Sequence, residues 1–236
     1  MEFLIVPIAV VIIFVKNAQT IKFNIEIKSE PNLSTSTSPS SKFAESIVNV
    51  ISEHNMGNRV TIQSFDWWAL EAVKNTAPAI PRGYLTVEQS WMNNVSPNPI
   101  GFSPWLAGFD PQKYGGEIFN SVKAAGGTAW APYYREVSSE KIVKAHEQGA
   151  SYVILGTIFK TTSKPDIKGC GTNLIKQVLS KLGGMDLIAI GGISLLNVKE
   201  VIDAGANGVA VRQSILESEN PAETSKKFLA IINRNE

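Results

Sequence analysis

The sequence reads LIAIGGISLLNVKEVIDAGANGVAV over residues 187–211, and this stretch decides the fold class. An apolar run (187–190) ends in two glycines, and a second run rich in valine (208–211) closes the stretch. Between them lies an amphipathic segment that Asn197 precedes and Gly205 follows. Asn is a common N-cap residue and Gly commonly ends a helix, so this segment is predicted to be helical. Strand, helix and strand in this order predict a βαβ unit with parallel strands.

The same alternation of short β-branched segments and longer amphipathic segments recurs along the chain. Candidate strands are residues 23–28, 60–65, 82–85, 129–133, 152–156, 187–190 and 208–211. Candidate helices are residues 41–54, 67–75, 117–125, 139–148, 172–182, 198–204 and 221–233. Strands that alternate with helices form a parallel sheet, open or closed into a barrel. We therefore predict an α/β fold, a parallel (βα) barrel of TIM-barrel type with about seven to eight strands, complete or incomplete.

The N-terminal segment, residues 1–19, has two interpretations. Residues 3–15 read FLIVPIAVVIIFV, an apolar run too short for a helix that spans a bilayer. Its valine and isoleucine content favours a buried strand, which would be the eighth strand of the barrel. The alternative is an export signal or a membrane anchor, although Glu2 and the flank KNAQ (16–19) do not fit a usual signal. The compartment is left open, with a cytoplasmic location favoured.

Composition and charge exclude several classes of function. The chain has 236 residues and a net charge of +1. So small a net charge does not produce the positive electrostatic potential that holds nucleic acid. The single cysteine, Cys170, excludes an internal disulfide framework, and no Cys/His group has the spacing of a zinc site. Recognition of an anion by this chain must therefore be local.

Two long connections interrupt the rhythm of strands and helices. Residues 29–41 are rich in Ser, Thr and Pro and are expected to be a loop. Residues 86–116 form a connection of about thirty residues that holds Trp91, Phe102 and Trp105. This second connection is either a substrate lid or a packed structural insertion.

The first set of candidate functional residues lies in NIEIK (24–28). Side chains alternate along a strand, so Glu26 and Lys28 lie on the same side. A carboxylate beside an ammonium at the end of a strand suits a hard metal ion and a phosphate oxygen, while a surface ion pair is the simpler reading. The two histidines, His54 and His146, are expected to have structural or solvated roles.

Three blocks of the chain resemble the later part of glycerophosphodiester phosphodiesterases. They are NIEIKSEP, TIQSFDWWALEAVKNTAPAIPRGYL and TAWAPYYREVSSEKIVKAHEQG, and the resemblance covers about residues 20–149. It implies that Glu26 ligates a divalent cation (Mg or Ca), that Lys28 contacts the phosphate as a catalytic residue, and that a pocket is lined by Ser64, Phe65 and Trp130. The implied chemistry is metal-assisted hydrolysis of a phosphodiester. The family's H-R-G strand, the acidic metal-binding block that follows it and the histidine that follows this block have no counterpart in this sequence. Hydrolysis is therefore expected to be weak or absent.

The second set of candidate residues lies in the last third of the chain. Residues 155–171 read LGTIFKTTSKPDIKGCG, a loop in which backbone N–H groups and Thr161, Thr162, Ser163 and Lys164 could surround an anion. The paired glycines 191–192 follow a later strand, and Arg212, Gln213 and Ser214 follow the last one. Barrels commonly build a phosphate site from the loops after their last strands. The alternative is that the glycines serve only tight turns and close packing.

This last third resembles the C-terminal part of thiamine phosphate synthase and its relative, the thiazole tautomerase TenI, over about residues 149–236. The resemblance implies that Thr161, Ser163 and Lys164 contact pyrophosphate and that Gly191 and Gly192 belong to a thiazole phosphate site. Two dipeptides depart from the family pattern. The family has Gly-Pro where this chain has Gly156-Thr157, and Val-Ser where this chain has Arg212-Gln213.

The chain therefore looks like a composite of two phosphate-handling barrel halves, residues 20–149 and 150–236, joined at a turn between a helix and a strand. A metal-dependent phosphodiester hydrolase, weakened or inactive, is the first predicted function. A thiamine phosphate synthase-like or TenI-like protein that binds thiazole phosphate and pyrophosphate is the alternative, and a non-catalytic phosphate-binding hybrid is the third. Each predicts a small phosphate-ester ligand and no nucleic acid, and the oligomeric state is left open.

Overall fold

The computed structural model describes residues 8–15, 21–31, 40–96, 101–133, 136, 138–147, 152–162, 168–182 and 184–233. Its strands are β1 (Ile8–Val15), β2 (Lys22–Ile27), β3 (Val60–Ser64), β4 (Arg82–Thr86), β5 (Glu88–Gln89), β6 (Met92–Asn93), β7 (Ala129–Pro132), β8 (Tyr152–Gly156), β9 (Asp186–Ile190) and β10 (Gly208–Val211). Its helices are α1 (Ser40–Glu53), α2 (Trp67–Thr76), α3 (Ile118–Ala124), α4 (Ser139–Glu147), α5 (Asn173–Leu179), α6 (Val198–Asp203), α7 (Gln213–Leu216) and α8 (Pro221–Ile232).

The chain divides into two compact units. The first comprises Met1–Val10 with Asn24–Glu136, and the second comprises Val11–Phe23 with Val137–Glu236. In each unit helices alternate with parallel strands, so the predicted α/β class is confirmed. The predicted boundary between residues 149 and 150 stays a prediction.

The first unit contains the strand order β7-β4-β3-β2, in which β4 pairs in parallel with both β3 and β7. The helices α1 and α2 cover one face of this sheet through apolar residues spaced three or four apart. Trp67 of α2 and Tyr84 of β4 are completely buried, and their rings meet edge to face with centroids 4.7 Å apart. Burial of each such side chain contributes roughly 1.5–3 kcal/mol to folding.

The connection between β4 and α3 is a packed insertion in the part that the structure describes. Asn94 is fully buried, and its side chain accepts a hydrogen bond from the Val87 N–H and donates to the carbonyls of Leu85 and Phe65. The carbonyl of Trp105 accepts from the N–H of Trp67, the first residue of α2. The insertion is therefore anchored to the end of β4 and the start of α2, and residues 97–100 lie outside the described residues.

The second unit contains the strand order β1-β10-β9-β8. Strands β8, β9 and β10 are parallel, as predicted, whereas β1 pairs with β10 in the antiparallel direction, from Ile12 opposite Val211 to Val15 opposite Gly208. The apolar N-terminal run is thus a strand from residue 8 onward, but it is not the eighth parallel strand of a barrel. An apolar run indicates burial and carries no information about strand direction. Residues 3–7 lie outside the described residues.

The core of the second unit lies between its sheet and its helices. Its fully buried members include Leu187 of β9, Val209 of β10, Val201 of α6, and Phe228 and Ile232 of α8.

None of the helices in the described ranges has the length and apolar character needed to cross a membrane.

Candidate functional site

The loops that follow β8 and β9 in the second unit are in direct backbone contact. The N–H groups of Ile158 and Phe159 donate to the carbonyls of Ile190 and Gly191, over 3.0 and 2.9 Å. The N–H of Cys170 donates a hydrogen bond to the carbonyl of Thr157 over 3.0 Å. The first loop after β8 therefore continues the pairing of the two strands beyond their carboxyl ends, which is where parallel α/β folds place ligands.

Gly191 and Gly192 make this close approach possible. Their φ angles are +101° and +66°, a region that residues with a Cβ rarely adopt. A Cβ on Gly191 would stand 2.5 Å from the Cγ2 of Thr157, and one on Gly192 would stand 2.5 Å from the carbonyl oxygen of Lys160. The glycines therefore have a definite packing role, which is the simpler of the two predicted roles, and their contact with a phosphate stays a prediction.

Gln213, the first residue of α7, connects the loop after β8 to the end of β10. Its Oε1 accepts a hydrogen bond from the Thr161 hydroxyl over 3.2 Å, and its Nε2 donates to Thr162 Oγ1 over 2.7 Å and to Glu217 Oε1 over 3.0 Å. Beside it, Ser214 Oγ donates to the carbonyl of Ile193 over 2.6 Å. Two side chains that follow β10 are thus hydrogen-bonded to the neighbouring loops: Gln213 to the loop after β8, and Ser214 to the loop after β9.

A shallow depression of about 280 Å³ opens at this point, lined by Thr162, Gln213, Ser214, Glu217 and Ser218. We call this surface, together with Thr161, Gly191, Gly192, Lys160 and Arg212, the anion rim. Of the predicted ligand-binding residues, Thr161 lies in the loop after β8, and Gly191 and Gly192 lie in the neighbouring loop after β9. Ser163 and Lys164, which were predicted to contact pyrophosphate, lie outside the described residues.

Two cations belong to the anion rim. Arg212 is half-buried and Lys160 is exposed, and among the residues that the structure describes neither side chain has a hydrogen-bond or ion-pair partner. Guanidinium groups bind phosphate oxygens through two parallel N–H donors, and an ammonium acts as a point charge. Hydroxyls together with two positive charges suit a small phosphate or diphosphate. The sequence signal for Arg212 and Gln213 was their position directly after the last strand.

Cys170 lies beside the loop after β8, where its Sγ donates to the carbonyl of Thr157 over 3.0 Å. Although the residue is exposed, partial desolvation of the thiol raises its pKa above the ordinary value. The thiol form is therefore favoured at neutral pH, and the thiolate that a nucleophilic cysteine needs is not.

In the first unit, Glu26 and Lys28 lie at the end of β2. Glu26 is half-buried and Lys28 is exposed. On the same side of β2, Asn24 is buried and its Nδ2 donates to Gln63 Oε1 of β3 over 2.7 Å, while its Oδ1 has no partner in the described part of the chain. A polar strip thus runs from the Asn24–Gln63 pair to Glu26.

The predicted pocket residues Ser64 and Trp130 lie on the opposite face of this sheet. Ser64 pairs with Tyr84, and Tyr84 pairs with Trp130, so the three side chains point to the face that the helices cover. Ser64 is fully buried and donates to the carbonyl of Ile27, and Trp130 packs against Phe119 of α3. Phe65 follows β3 and is half-buried. The structure therefore does not bring Ser64 and Trp130 together with Glu26.

The donor set near Glu26 does not by itself fit a divalent cation. Mg²⁺ and Ca²⁺ take six or more oxygen ligands, commonly from several carboxylates. Within the described ranges, no group of three or more His, Cys, Asp or Glu side chains is arranged to hold a metal ion. Both histidines are exposed, as expected for solvated residues. Glu26 as a metal ligand stays a proposal.

Family models match both parts of the chain. A model described as the glycerophosphoryl diester phosphodiesterase family matches residues 11–154, and one described as thiamine monophosphate synthase matches residues 137–215. Both predicted resemblances are therefore confirmed. The two matches overlap over residues 137–154, which include α4 and the start of β8, so this helix and strand fit either family.

Curated relatives match a shorter part of the chain. A thiamine-phosphate synthase of Lysinibacillus sphaericus is 40% identical over 95 residues, which is 40% of this chain and 45% of that protein. One of Anoxybacillus flavithermus is 39% identical over 95 residues, which is 40% of this chain and 44% of that protein. The matching part thus spans less than half the length of these relatives.

Solved structures support the fold class alone. A thiamine phosphate pyrophosphorylase from Pyrococcus furiosus superposes with a TM-score of 0.52 and 17% identity, covering 89% of this chain and 81% of the other. A 3-hexulose-6-phosphate synthase from Salmonella typhimurium superposes with a TM-score of 0.52 and 14% identity, covering 80% of this chain and 79% of the other. Both agree with an α/β fold built on parallel strands.

Proposed function

The chain belongs to the glycerophosphoryl diester phosphodiesterase family, and because its last part also matches the thiamine monophosphate synthase model, we propose that it binds small phosphate esters at the anion rim. The observation that carries this proposal is the bonding of Gln213 to Thr161 and Thr162 beside the glycine-rich loop after β9. This bonding holds two hydroxyls in fixed positions. Lys160 and Arg212, the sequence neighbours of Thr161 and Gln213, have no ion-pair partner in the described ranges.

The proposed ligands are thiazole phosphate and pyrophosphate. Arg212 adds a positive charge where the synthase pattern has an uncharged residue, and this charge favours anions with more than one negative charge. We propose binding without synthesis, because the part of the chain that matches the synthases spans under half of their length. A barrel of TIM-barrel type, complete or incomplete, and a cytoplasmic location, which the sequence favours over export or anchoring, remain proposals as well.

A second candidate function is weak phosphodiester hydrolysis in the first unit. It is favoured by the longer of the two family matches and by the placement of Glu26 and Lys28 at the end of β2. A metal ion bound by Glu26 would polarise a phosphoryl oxygen, and Lys28 would bind the phosphate. Within the described ranges Glu26 belongs to no group of three or more His, Cys, Asp or Glu side chains that could hold the metal ion, so this function ranks behind phosphate binding.

Isothermal titration tests the two candidates with one set of ligands. Pyrophosphate, thiazole phosphate and glycerol phosphate are titrated into the full chain with and without magnesium. Binding of pyrophosphate or thiazole phosphate supports the anion rim, and metal-dependent binding of glycerol phosphate that Glu26→Gln abolishes supports the hydrolase. If none of the three ligands binds, both functions are rejected.

A variant pair locates the binding site. Arg212→Leu is expected to weaken pyrophosphate binding about tenfold or more, because a charge-assisted hydrogen bond contributes roughly 1.5–3 kcal/mol. Lys181→Leu removes the same charge from an exposed position of the second unit and is expected to leave the affinity unchanged. Equal losses in the two variants would mean that only the overall charge matters, and the rim assignment would be rejected.

A further inference from the structure

The depression in the anion rim has a lining made of polar residues. Hydroxyls, an amide and a carboxylate meet there, from Thr162, Gln213, Ser214, Glu217 and Ser218. Its volume of about 280 Å³ suits a small organic group. Pockets for small molecules are lined mainly by apolar and aromatic side chains, with a few polar groups among them. The polar lining found here therefore indicates a ligand whose organic part is itself polar.

Both hydrogens of the Gln213 amide are used within the chain. They go to Thr162 Oγ1 over 2.7 Å and to Glu217 Oε1 over 3.0 Å. Gln213 thus holds a hydroxyl and a carboxylate in place on two sides of the depression. The hydroxyl hydrogen of Thr162 and the Oε2 atom of Glu217 have no hydrogen-bond partner in the described ranges, so both are available to a ligand.

The two serine hydroxyls of the depression act as acceptors toward a ligand. Ser214 Oγ donates its single hydrogen to the Ile193 carbonyl over 2.6 Å, and Ser218 Oγ donates its own to the Ile215 carbonyl over 2.7 Å. Each oxygen keeps its lone pairs. Together with Glu217 Oε2, the serines give the depression three acceptors, and the Thr162 hydroxyl gives it one donor.

We propose that the anion rim binds sugar or polyol phosphates and that Glu217 selects their hydroxyl groups. A hydroxyl group both donates and accepts, so a chain with several hydroxyls pairs with the three acceptors and with the Thr162 donor at the same time. The hydrogen bond to the Glu217 carboxylate is charge-assisted and is therefore the strongest of the set.

Two other organic groups fit this set of donors and acceptors less well. A thiazole ring has no N–H or O–H group, so it would leave the three acceptors without a partner. An ammonium group only donates, so it would leave the Thr162 hydroxyl without an acceptor, and the charges of Arg212 and Lys160 in the same rim would repel it. Sugar and polyol phosphates thereby extend the ligands proposed above, and their binding rests on the proposed function, phosphate binding at the rim.

Isothermal titration of the full chain in the presence of EDTA compares three phosphates with the same five-carbon backbone. Ribitol 5-phosphate carries hydroxyl groups, n-pentyl phosphate carries none, and 5-aminopentyl phosphate carries an ammonium group. Ribitol 5-phosphate is expected to bind at least tenfold more tightly than either of the other two. Pyrophosphate, titrated in the same way, reports phosphate binding at the rim separately.

A pair of variants tests the role of Glu217. Glu217→Ala is expected to lower the preference for ribitol 5-phosphate over n-pentyl phosphate at least threefold. The ratio of the two affinities is the readout, because a general disturbance of the rim would weaken both ligands equally. Glu219→Ala removes the same charge from an exposed position two residues along the chain and is expected to keep the preference.

Three results would overturn the proposal. One is equal affinity for ribitol 5-phosphate and n-pentyl phosphate, and another is tighter binding of 5-aminopentyl phosphate. The third is a preference that Glu217→Ala and Glu219→Ala lower equally. If pyrophosphate binds, each of these results leaves phosphate binding at the rim standing. If neither pyrophosphate nor ribitol 5-phosphate binds, phosphate binding at the rim and the selection of hydroxyl groups are rejected together.

Discussion

The amide of Gln213 donates to the hydroxyl of Thr162 over 2.7 Å, across 51 positions of sequence. Through the same side chain the Thr161 hydroxyl is held at 3.2 Å. The loop after β8 is thus fastened to the first residue of α7, and the two hydroxyls are positioned before any ligand arrives. Binding then needs less ordering of side chains, which favours affinity.

Replacement of Gln213 by alanine should therefore weaken pyrophosphate binding. Two side-chain hydrogen bonds of about 0.5–1.5 kcal/mol each position the loop, so a loss of about three- to thirtyfold in affinity is expected. Isothermal titration measures the change. The matched control is Gln177→Ala on the exposed face of α5, which should bind pyrophosphate as the unchanged protein does. Unchanged affinity in Gln213→Ala would show that the loop needs no such support.

Replacement of Gly192 by alanine should destabilise the second unit. The positive φ of about +66° disfavours a residue with a Cβ by roughly 1–2 kcal/mol, and the contact of that Cβ with the Lys160 carbonyl adds about 1–3 kcal/mol of overpacking. The urea midpoint is expected to fall accordingly. Gly184→Ala is the control, because Gly184 has φ +98° but nothing within 4 Å of its Cβ position. Equal destabilisation of the two variants would mean that the close approach contributes nothing.

Most of the regular elements could be predicted from the sequence, because strands such as β8 and β10 have a clear apolar pattern and α6 has flanking signals at Asn197 and Gly205. The segment RGYLT (82–86) holds an arginine and a glycine, which are uncommon inside a buried strand, yet β4 is buried throughout. The two terminal nitrogens of the Arg82 guanidinium donate to the carbonyls of Pro78, Ile80 and Gly126, while its Nε has no partner among the described residues. Such compensation depends on contacts distant in sequence, which a local pattern does not contain.

The candidate site was only partly predictable. The position of Thr161 and of the paired glycines in neighbouring loops follows from the order of strands, since parallel strands end at one edge. Which face of the sheet Trp130 occupies depends on pairing register, and a shift of one residue reverses the face. The hairpin that carries Trp91 has strands of two residues each, too short for any period to show.

Replacement of Asp66 by alanine should destabilise the first unit by about 2–4 kcal/mol. The buried carboxylate caps α2 by accepting from the Trp68 N–H over 3.1 Å, and it accepts from the hydroxyls of Ser29 and Ser40 over 2.6 and 2.5 Å. It thereby joins the segment after β2 to the starts of both helices, and hydrogen bonds to a charged group contribute more than neutral ones.

Urea denaturation measures this effect, with Asp66→Asn as a milder change that keeps one acceptor oxygen. Asp186→Ala removes an exposed carboxylate at the start of β9 and is the control, with an expected change within about 0.5 kcal/mol. A midpoint for Asp66→Ala equal to that of the control would contradict the role of Asp66 as a buried junction.

The stability of the first unit should fall between pH 10 and pH 12 because of Tyr84. Burial, with a smaller contribution from the charge of Glu71, raises the pKa of this phenol from 10.0 to about 12. Below pH 10 the phenol is protonated in both the folded and unfolded chains. As the pH rises from 10 to about 12, only the unfolded chain loses the proton, so the free energy of unfolding decreases by about 2–3 kcal/mol.

Tyr84→Phe should remove this decrease, at the cost of the hydrogen bond from the Tyr84 hydroxyl to the Ala125 carbonyl (3.2 Å). The control, Tyr114→Phe, should keep the decrease. Urea midpoints of the three proteins at pH 9 and pH 11.5 give the comparison, and the same decrease in Tyr84→Phe would assign it to other groups.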